Sequence, residues 1–337
     1  MPSSPWTRLP LALTIATALL LACAGDDATS ETEAATTAGA DDTTATSDAT
    51  AGPTSDATTS DDATTDATTD ATTGDDTTTT GVDTTTTSDA TTTTTGDTDA
   101  PLGCDELPLC DGFDDVNAGG APDPGRWQVV SPNCSGVGTL AVDDVESFAG
   151  GQSLRVDGGG GYCDHVFIAN DAAVSAINGD AATVYGRFYL RLEAPLGPGH
   201  VTFATLRDDD DGGRDLRMGG QSEILMWNRE SDDATLPVLS PAGIALSVAL
   251  PAGDWACVEF MIDQDQGELR TWIDEVEVAG LHIDGEPTPD VDQQWHQKPM
   301  WRPKLVDFKL GWESYAGQTM TLWIDEVALA SARIGCG

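Results

Sequence analysis

Basic residues are scarce in this chain, and they are missing altogether between Cys23 and Gly103. The whole sequence has 15 Lys and Arg against 57 Asp and Glu, a formal net charge of −42. Proteins that bind nucleic acids or bulk anionic surfaces concentrate basic residues. The charge balance therefore excludes nucleic acid as an expected partner.

Large apolar residues are also nearly absent from residues 24–103, which consist mainly of Thr, Asp, Ala, Ser and Gly and include 18 acidic residues. Such a composition cannot bury enough surface to offset the entropy lost on ordering. We expect residues 23–103 to be a disordered acidic tether. Residues 104–337 keep 39 acidic and 14 basic residues, a charge of −25, and are long enough for one folded domain.

A hydrophobic run long enough to cross a bilayer is missing too, since the apolar segment from Leu9 to Leu21 is too short. It predicts a signal peptide over residues 1–22. The LLAC sequence at 20–23 resembles the bacterial lipobox, which implies that Cys23 is lipidated and that the protein is exported and anchored to a bacterial membrane. Ala24 and Gly25, rather than Asp, follow the cysteine and favour the outer membrane or cell surface. The alternative is an ordinary cleavage site before a Cys.

Six cysteines remain after Cys23: Cys104, Cys110, Cys134, Cys163, Cys257 and Cys336. An even number in an exported protein predicts three disulfides, and no spacing matches a zinc site. We expect Cys134 to pair with Cys163. Cys336 is expected to pair with Cys104, Cys110 or Cys257.

Helical periodicity is absent from residues 104–337. Short segments rich in Val, Phe, Tyr, Leu and Ile instead alternate with Gly, Asp, Asn and Pro. About ten strands at this spacing predict an all-β fold, a two-sheet antiparallel jelly roll. One hairpin is expected to turn near Asp274 and Glu275.

Residues two apart on a strand share a face, and four strands each have a polar face with ionisable groups. These faces hold Tyr185, Arg187, Tyr189 and Arg191; Arg217, Gln221, Glu223 and Trp227; Glu259; and Asp307, Lys309, Glu313 and Tyr315. If the strands are neighbours, the faces line one groove whose arginines suit a ligand carboxylate. The alternative is four ordinary solvated strand faces.

Three of these segments also resemble a known family. RFYLR (187–191), QSE (221–223) and FKLG (308–311) are similar to the signature strands of alginate-lyase-like jelly rolls. The domain as a whole resembles the glucuronan lyases and the fungal cellulose-induced jelly-roll proteins, which have concanavalin A-like folds. The resemblance implies binding of a uronic-acid-containing polysaccharide and its cleavage by β-elimination.

The same resemblance assigns roles to residues. Arg187 and Gln221 match the groups that neutralise the sugar carboxylate. Glu223 and Glu313 replace the family His and Tyr, for which His200 and Tyr315 are the possible substitutes. The residues expected to bind substrate are Tyr189, Arg191, Arg217, Trp227 and Lys309.

Two alternative functions remain open. EILMW (223–227) resembles the nucleophile strand of small jelly-roll endoglucanases, so Glu223 and Glu313 form the carboxylate pair of a retaining endo-glycanase in that hypothesis. The second alternative is a monomeric carbohydrate-binding surface lipoprotein without catalysis.

A structural Ca²⁺ is the one cofactor that the resemblance implies, with Asp114, Ser147, Gly150 and Asp325 as ligands. Asp325 is two residues from both Trp323 and Val327, so all three are expected on one strand face. A carboxylate on such an apolar face needs a partner, and calcium prefers oxygen ligands. The alternative is that an Arg or backbone groups satisfy Asp325. The acidic run Asp208–Asp211 is expected to form an exposed hairpin or groove-edge loop rather than a metal site.

Overall fold

The structure is a computed structural model that describes residues 104–132, 134 and 136–337. The predicted signal peptide (1–22), the lipidation site Cys23 and the predicted tether up to residue 103 lie outside the described residues. Within the described part, no helix is both long and apolar enough to cross a membrane.

Strands dominate the described residues, which form fifteen strands and two short α-helices. The strands are β1 (Leu109–Asp111), β2 (Gln128–Val130), β3 (Thr139–Asp143), β4 (Ser153–Gly158), β5 (Val166–Asn170), β6 (Thr183–Leu192), β7 (Val201–Asp208), β8 (Arg214–Gln221), β9 (Ile224–Arg229), β10 (Ala234–Leu236), β11 (Trp255–Asp263), β12 (Glu268–Ile273), β13 (Val276–Ile283), β14 (Phe308–Ser314) and β15 (Met320–Ala330). The helices are α1 (Ala172–Asp180) and α2 (Pro241–Ile244), and single 3₁₀ turns span Cys104–Glu106 and Trp295–Gln297.

The strands form two antiparallel sheets. The first sheet has eight strands in the order β13-β12-β11-β6-β15-β4-β3, with β1 also paired to β15. The second sheet has seven, in the order β10-β9-β8-β7-β14-β5-β2. This arrangement confirms the predicted all-β jelly-roll sandwich.

The core lies between the sheets and takes alternate residues from each strand. Phe188 and Leu190 on β6 and Phe308 and Trp312 on β14 are all almost fully buried, on the faces that strand alternation predicted. Because the inner faces are apolar, the polar residues of these strands are left on the two outer faces of the sandwich.

A tight turn changes one predicted face. Ser222 and Glu223 have φ values of 54° and 66°, as in a two-residue hairpin turn, so β8 ends before them and β9 begins after them. The alternation restarts at the turn, which places Trp227 in the core, where its Nε1 donates to Thr271 Oγ1 at 2.9 Å. The prediction that Trp227 binds substrate is therefore wrong, and Glu223 lies exposed in the turn.

A β-bulge changes a second face. Glu326 has φ of 47°, and the pairing of β15 with β6 shifts between Asp325 and Ala328. Val327 is therefore in the core, while Asp325 pairs with Tyr189 on the opposite face. The expectation that Asp325 and Val327 share a face is therefore wrong, whereas Trp323 and Asp325 do lie on one face.

Other local predictions have mixed outcomes. The hairpin at Asp274 and Glu275 is confirmed, with φ values of 49° and 69° between β12 and β13. Asp208–Asp211 lies at the β7–β8 hairpin, as expected, but Asp208 is buried rather than exposed. Helix α1 was not predicted, because its nine residues contain Asn178 and Gly179 and only a short buried stripe.

Three disulfides join Cys104 to Cys110, Cys134 to Cys163 and Cys257 to Cys336. Both pairing predictions are confirmed. The Cys134–Cys163 bridge joins the segment that precedes β3 to the one that precedes β5. The Cys257–Cys336 bridge fixes the C-terminal segment to β11.

The entropy of loop closure predicts that two of these bridges, removed separately, lower the free energy of unfolding by different amounts. Replacing Cys257 and Cys336 with Ser should lower the free energy of unfolding by about 4 to 5 kcal/mol, because that bridge spans 79 residues. The Cys104→Ser/Cys110→Ser control opens a span of six residues and should cost about 2 kcal/mol. Urea unfolding of the full-length variants measures both. Equal losses would contradict the loop-closure explanation.

Candidate functional site

A large cleft lies on the outer face of the second sheet, with a volume of about 1170 Å³. Its floor comes from β5, β14, β7 and β8, and its walls from α1, Tyr162 and the segment 304–307. The Gly212–Gly213 turn, with both φ values positive, closes one end. The outward residues of neighbouring strands therefore meet in a single cavity.

Charges in the cleft are balanced, although the domain is strongly acidic. The acidic residues that line it are Asp171, Asp215, Glu230, Asp307 and Glu313, and the basic ones are Arg207, Arg214, Arg217, Lys304 and Lys309. Five of the domain's 14 basic residues are thus concentrated on one surface. An anionic ligand meets far less repulsion here than an average net charge of −25 implies.

Glu313 is the centre of the most closely connected group of side chains. Its Oε1 accepts a hydrogen bond from Tyr315 Oη at 2.8 Å and lies 3.0 Å from His165 Nδ1. Its Oε2 lies 3.8 Å from Arg217 Nε. The carboxylate is buried, so these three groups replace the water it would otherwise bind.

Strand register explains this grouping. His165 immediately precedes β5, Tyr315 immediately follows β14, and His200 immediately precedes β7. Because β14 pairs antiparallel with both β5 and β7, the start of β5, the end of β14 and the start of β7 lie side by side at one end of these strands. Tyr315 N also donates to His200 O at 3.0 Å, which extends the pairing by one step.

Arg217 is incompletely satisfied within the described residues. Its Nη2 lies 3.1 Å from Glu230 Oε1, and its guanidinium lies 5.1 Å from the centre of the Tyr315 ring. Its buried Nε has no hydrogen-bond partner among the described residues. A buried guanidinium with an unused donor favours an additional acceptor.

His200 and Tyr315 pack as a stack, with ring centres 5.0 Å apart and planes at 19°. Burial, and then the positive charge of Arg217, lowers the pKa of His200 to about 4. His200 is therefore a neutral imidazole near pH 7, and its buried Nε2 has no partner in the described part of the chain. Burial and the Glu313 carboxylate raise the pKa of Tyr315, which keeps its hydroxyl protonated.

Lys309 lies on the same strand as Glu313, four residues before it and on the same face. Its Nζ lies 2.6 Å from Asp307 Oδ1 and 3.3 Å from Asp215 Oδ1. Burial raises the pKa of Asp215 even though Lys309 opposes that shift. Both Lys309 and Arg217 are paired with carboxylates, but Arg217 also has a guanidinium nitrogen without a hydrogen-bond partner among the described residues.

The predicted common groove is wrong, because the four strands belong to different sheets. Glu313, Arg217 and Lys309 line the cleft, and His200 and Tyr315 pack against them. Arg187, Tyr189 and Arg191 are on β6, in the first sheet, together with Glu259 on β11. Sequence alternation identifies the face of each strand, but not the sheet to which the strand belongs.

The residues of the first sheet have other contacts. Arg187 Nη2 lies 3.9 Å from Glu326 Oε2, and Arg191 packs 4.9 Å from the centre of the Trp323 ring. Tyr189 Oη donates to the carbonyl of Cys336. The fully buried Glu259 accepts hydrogen bonds from Arg333 Nε and from the backbone N–H groups of Ile334 and Gly335, at 2.8 to 3.0 Å, and so anchors the C-terminal segment.

Gln221 and Glu223 lie at the β8–β9 turn, and neither is among the described residues that line the cleft. Glu223 therefore does not face Glu313 across the cleft, and the expected carboxylate pair of a retaining glycanase is wrong. The reason is the turn itself, which ends β8 at Gln221.

His165 was not predicted. It precedes the strand VFIAN, and it shares an outward face with Phe167 and Ala169, which also line the cleft. Extending the alternation one residue before the strand would have found it. Tyr162, whose ring centre lies 5.2 Å from that of Tyr315, lacked such a signal because it lies in a loop.

The predicted calcium ligands lie together at the first sheet. The missing Cβ of Gly112 would lie 3.0 Å from Glu326 Oε1, 3.5 Å from Asp114 Oδ2 and 3.7 Å from Asp325 Oδ1, so Asp114 and Asp325 approach one point beside Glu326. Asp325 also accepts backbone N–H groups from Phe148, Ala149 and Glu326, the alternative that the sequence left open. Burial raises its pKa to about 6.

Side chains alone do not complete a metal site there. No group of three His, Cys, Asp or Glu side chains among the described residues is arranged to hold a metal ion. Main-chain oxygens of the Ser147–Gly150 turn, which packs against Asp114, are the further donors that the location offers.

Comparison with known proteins places residues 117–332 in the polysaccharide-lyase-like class. The family model described as the Cip1-like core domain matches residues 117–332. The chain belongs to this Cip1-like family.

A solved structure named cellulose-induced protein Cip1 is 36% identical, with a TM-score of 0.61, over 68% of this chain and 100% of that one. An endo-β-1,4-glucuronan lyase from the fungus Trichoderma reesei is 16% identical, with a TM-score of 0.38, over 64% of this chain and 95% of that one. The search of curated proteins found no match.

The low pKa of His200 predicts a pH-dependent stability. Its folded pKa of about 4 is below the ordinary value of 6.5, so the unfolded state binds more protons between these pH values. The wild type should lose up to about 3 kcal/mol more unfolding free energy than His200→Asn as pH falls from about 6.5 to about 4. Urea unfolding across this range measures the difference, and parallel curves would contradict the burial of a neutral His200.

Proposed function

We propose that the cleft binds a uronic-acid-containing polysaccharide and cleaves it by β-elimination. The observation that carries the proposal is Arg217, whose unpartnered Nε lies beside Glu313, Tyr315 and His200 in a charge-balanced cleft. Membership of a polysaccharide-lyase-like family supports it. Lipid anchoring through Cys23 and location at a bacterial surface stay predictions, because that part of the chain lies outside the described residues.

Arg217 is the group that meets the sugar carboxylate. A guanidinium bound to that carboxylate stabilises the negative charge that develops when the C5 proton leaves. This is the role that the family resemblance implied for Arg187 and Gln221. Arg187 Nε also lacks a hydrogen-bond partner among the described residues, so the reassignment is supported by location: Arg217 lines the cleft beside Glu313, whereas Arg187 is on the other sheet.

His200 and Tyr315 have the protonation states that the two proton transfers require. His200 is neutral at pH 7 and accepts the C5 proton through Nε2. Tyr315 keeps its hydroxyl proton and donates it to the leaving glycosidic oxygen. Since His200 Nε2 is buried in the free protein, the side chains around it have to shift when the polymer binds.

Shielding of His200 Nε2 also favours one alternative, a carbohydrate-binding protein without turnover. In that case the cleft retains the polymer through Arg217 and its rim cations, and no bond is cleaved. The assay below separates the two functions.

The full-length protein should release unsaturated uronides from glucuronan or alginate, seen as an increase in ultraviolet absorbance. Arg217→Gln should weaken binding of these polymers by on the order of tenfold to hundredfold, because it removes a charged hydrogen bond to the carboxylate. Isothermal titration with the same polymers measures the loss.

Arg270→Gln is the matched control, since Arg270 is on β12 of the first sheet, outside the cleft. It should bind and cleave like the wild type. Retention of the polymer without absorbance would identify a binder. New reducing ends without absorbance would identify a hydrolase, and no binding of any uronate polymer would contradict the proposal.

For the metal, we propose that Asp114, Asp325 and main-chain oxygens of Ser147 and Gly150 hold a structural Ca²⁺. The two carboxylates that approach one point beside Gly112 support this. The ion would neutralise their charges and join the β15 bulge to the segment after β1. It takes no part in the proposed elimination.

Calcium should therefore raise the melting temperature. Binding at 100 times Kd adds about 2.7 kcal/mol, which corresponds to roughly 5 to 10 °C for a domain of this size. Differential scanning calorimetry with calcium or chelator measures the shift. Asp114→Asn should remove it, whereas the exposed Asp254→Asn should not. An unchanged wild-type melting temperature would exclude the site.

A further inference from the structure

His165 makes two polar contacts that together determine its protons. Its side chain is buried, with Nε2 2.6 Å from the carbonyl oxygen of Pro132 and Nδ1 3.0 Å from Glu313 Oε1. A carbonyl oxygen can only accept, so Nε2 carries a hydrogen and donates it. In a neutral imidazole, Nδ1 then has a lone pair and no hydrogen.

The contact with Glu313 therefore requires one more proton. An imidazole lone pair and an ionised carboxylate oxygen are both acceptors, and they repel each other at 3.0 Å unless a hydrogen lies between them. Either His165 is an imidazolium or Glu313 is a carboxylic acid. In both cases the pair holds one proton beyond those of a neutral His and an ionised Glu.

We propose that His165 and Glu313 hold this additional proton and deliver it through Glu313 Oε1 to Tyr315. The geometry supports delivery, because Tyr315 Oη contacts the same oxygen at 2.8 Å. The existence of the proton depends only on the contacts of His165. Its delivery to Tyr315 rests on the proposed elimination.

The proton balance of the reaction is complete. Tyr315 gives its hydroxyl proton to the leaving oxygen and becomes a phenolate. Glu313 then donates the additional proton to that phenolate, which restores the tyrosine and leaves a neutral His165 beside an ionised Glu313. The C5 proton accepted by His200 passes to solvent, and the pair takes up one proton from solvent before the next cycle.

The charged and titratable groups around the pair are consistent with this role. Arg217 faces Glu313 Oε2 from β8 at 3.8 Å, while Tyr162 packs edge-on against the His165 ring at 5.8 Å. Tyr315 and His200 complete the group from the ends of β14 and β7. Glu230 pairs with Arg217 rather than with His165.

Nitrogen NMR of full-length protein labelled with ¹⁵N-histidine tests the proton directly. Near pH 7, Nε2 of His165 should be protonated. Nδ1 should be either protonated or hydrogen-bonded to a proton that it shares with Glu313. The His165→Gln variant assigns the signals. In Glu313→Gln, whose amide can itself donate, His165 should become neutral with its hydrogen on Nε2. A wild-type Nδ1 with the shift of a free lone pair would overturn the inference.

Kinetics with glucuronan test the delivery. Glu313→Gln should lower kcat on the order of hundredfold or more, with little change in KM, and should change the solvent isotope effect on kcat. Tyr315→Phe should also lose activity, yet keep the two-proton NMR signature of His165. Circular dichroism confirms that the variants fold.

The outcomes separate the two proposals. An unchanged kcat in Glu313→Gln would overturn delivery even with the expected NMR signals. A wild type that cleaves no uronate polymer would overturn the elimination and the delivery together, whereas the shared proton is decided by NMR alone.

Discussion

Face-to-face packing of two antiparallel sheets is the constraint on which the rest of this structure depends. Each strand has to place alternate residues in the shared core, so its polar residues are forced onto one of two outer faces. On the second sheet those residues form the cleft around Glu313. On the first sheet they form ion pairs, aromatic contacts and the anchor for the C-terminal segment through Glu259.

Strand alternation in the sequence predicts which side of each continuous strand is polar, and it succeeds for β6, β11 and β14. It fails where the two-residue period is interrupted. The turn at Ser222 and Glu223 moved Trp227 into the core, and the bulge at Glu326 separated Asp325 from Val327. Positive φ at a residue other than glycine has only a weak sequence signature: the turn at Asp274 and Glu275 was predicted from its flanking strands, whereas these two interruptions were not.

A second limit on prediction from the sequence was the sheet that each strand joins, because this depends on pairing between strands far apart in the chain. Arg187 and Arg217 have similar local patterns, yet β6 pairs with β11 and β15 whereas β8 pairs with β7 and β9. Lys309, Glu313 and Tyr315 were grouped correctly because they lie on one strand and its end. His165 and His200 joined them only through strand register, which is a long-range property.

The Cys134–Cys163 bridge has a consequence for where this protein can become functional. It fixes Pro132, which accepts from His165 Nε2, to the segment that carries Tyr162 and leads into β5. One wall of the cleft is thus assembled by oxidation rather than by packing alone. Disulfides form and persist in oxidising compartments. A copy folded under reducing conditions would lack this covalent support for His165, so maturation of the site depends on the redox state of the compartment in which the chain folds.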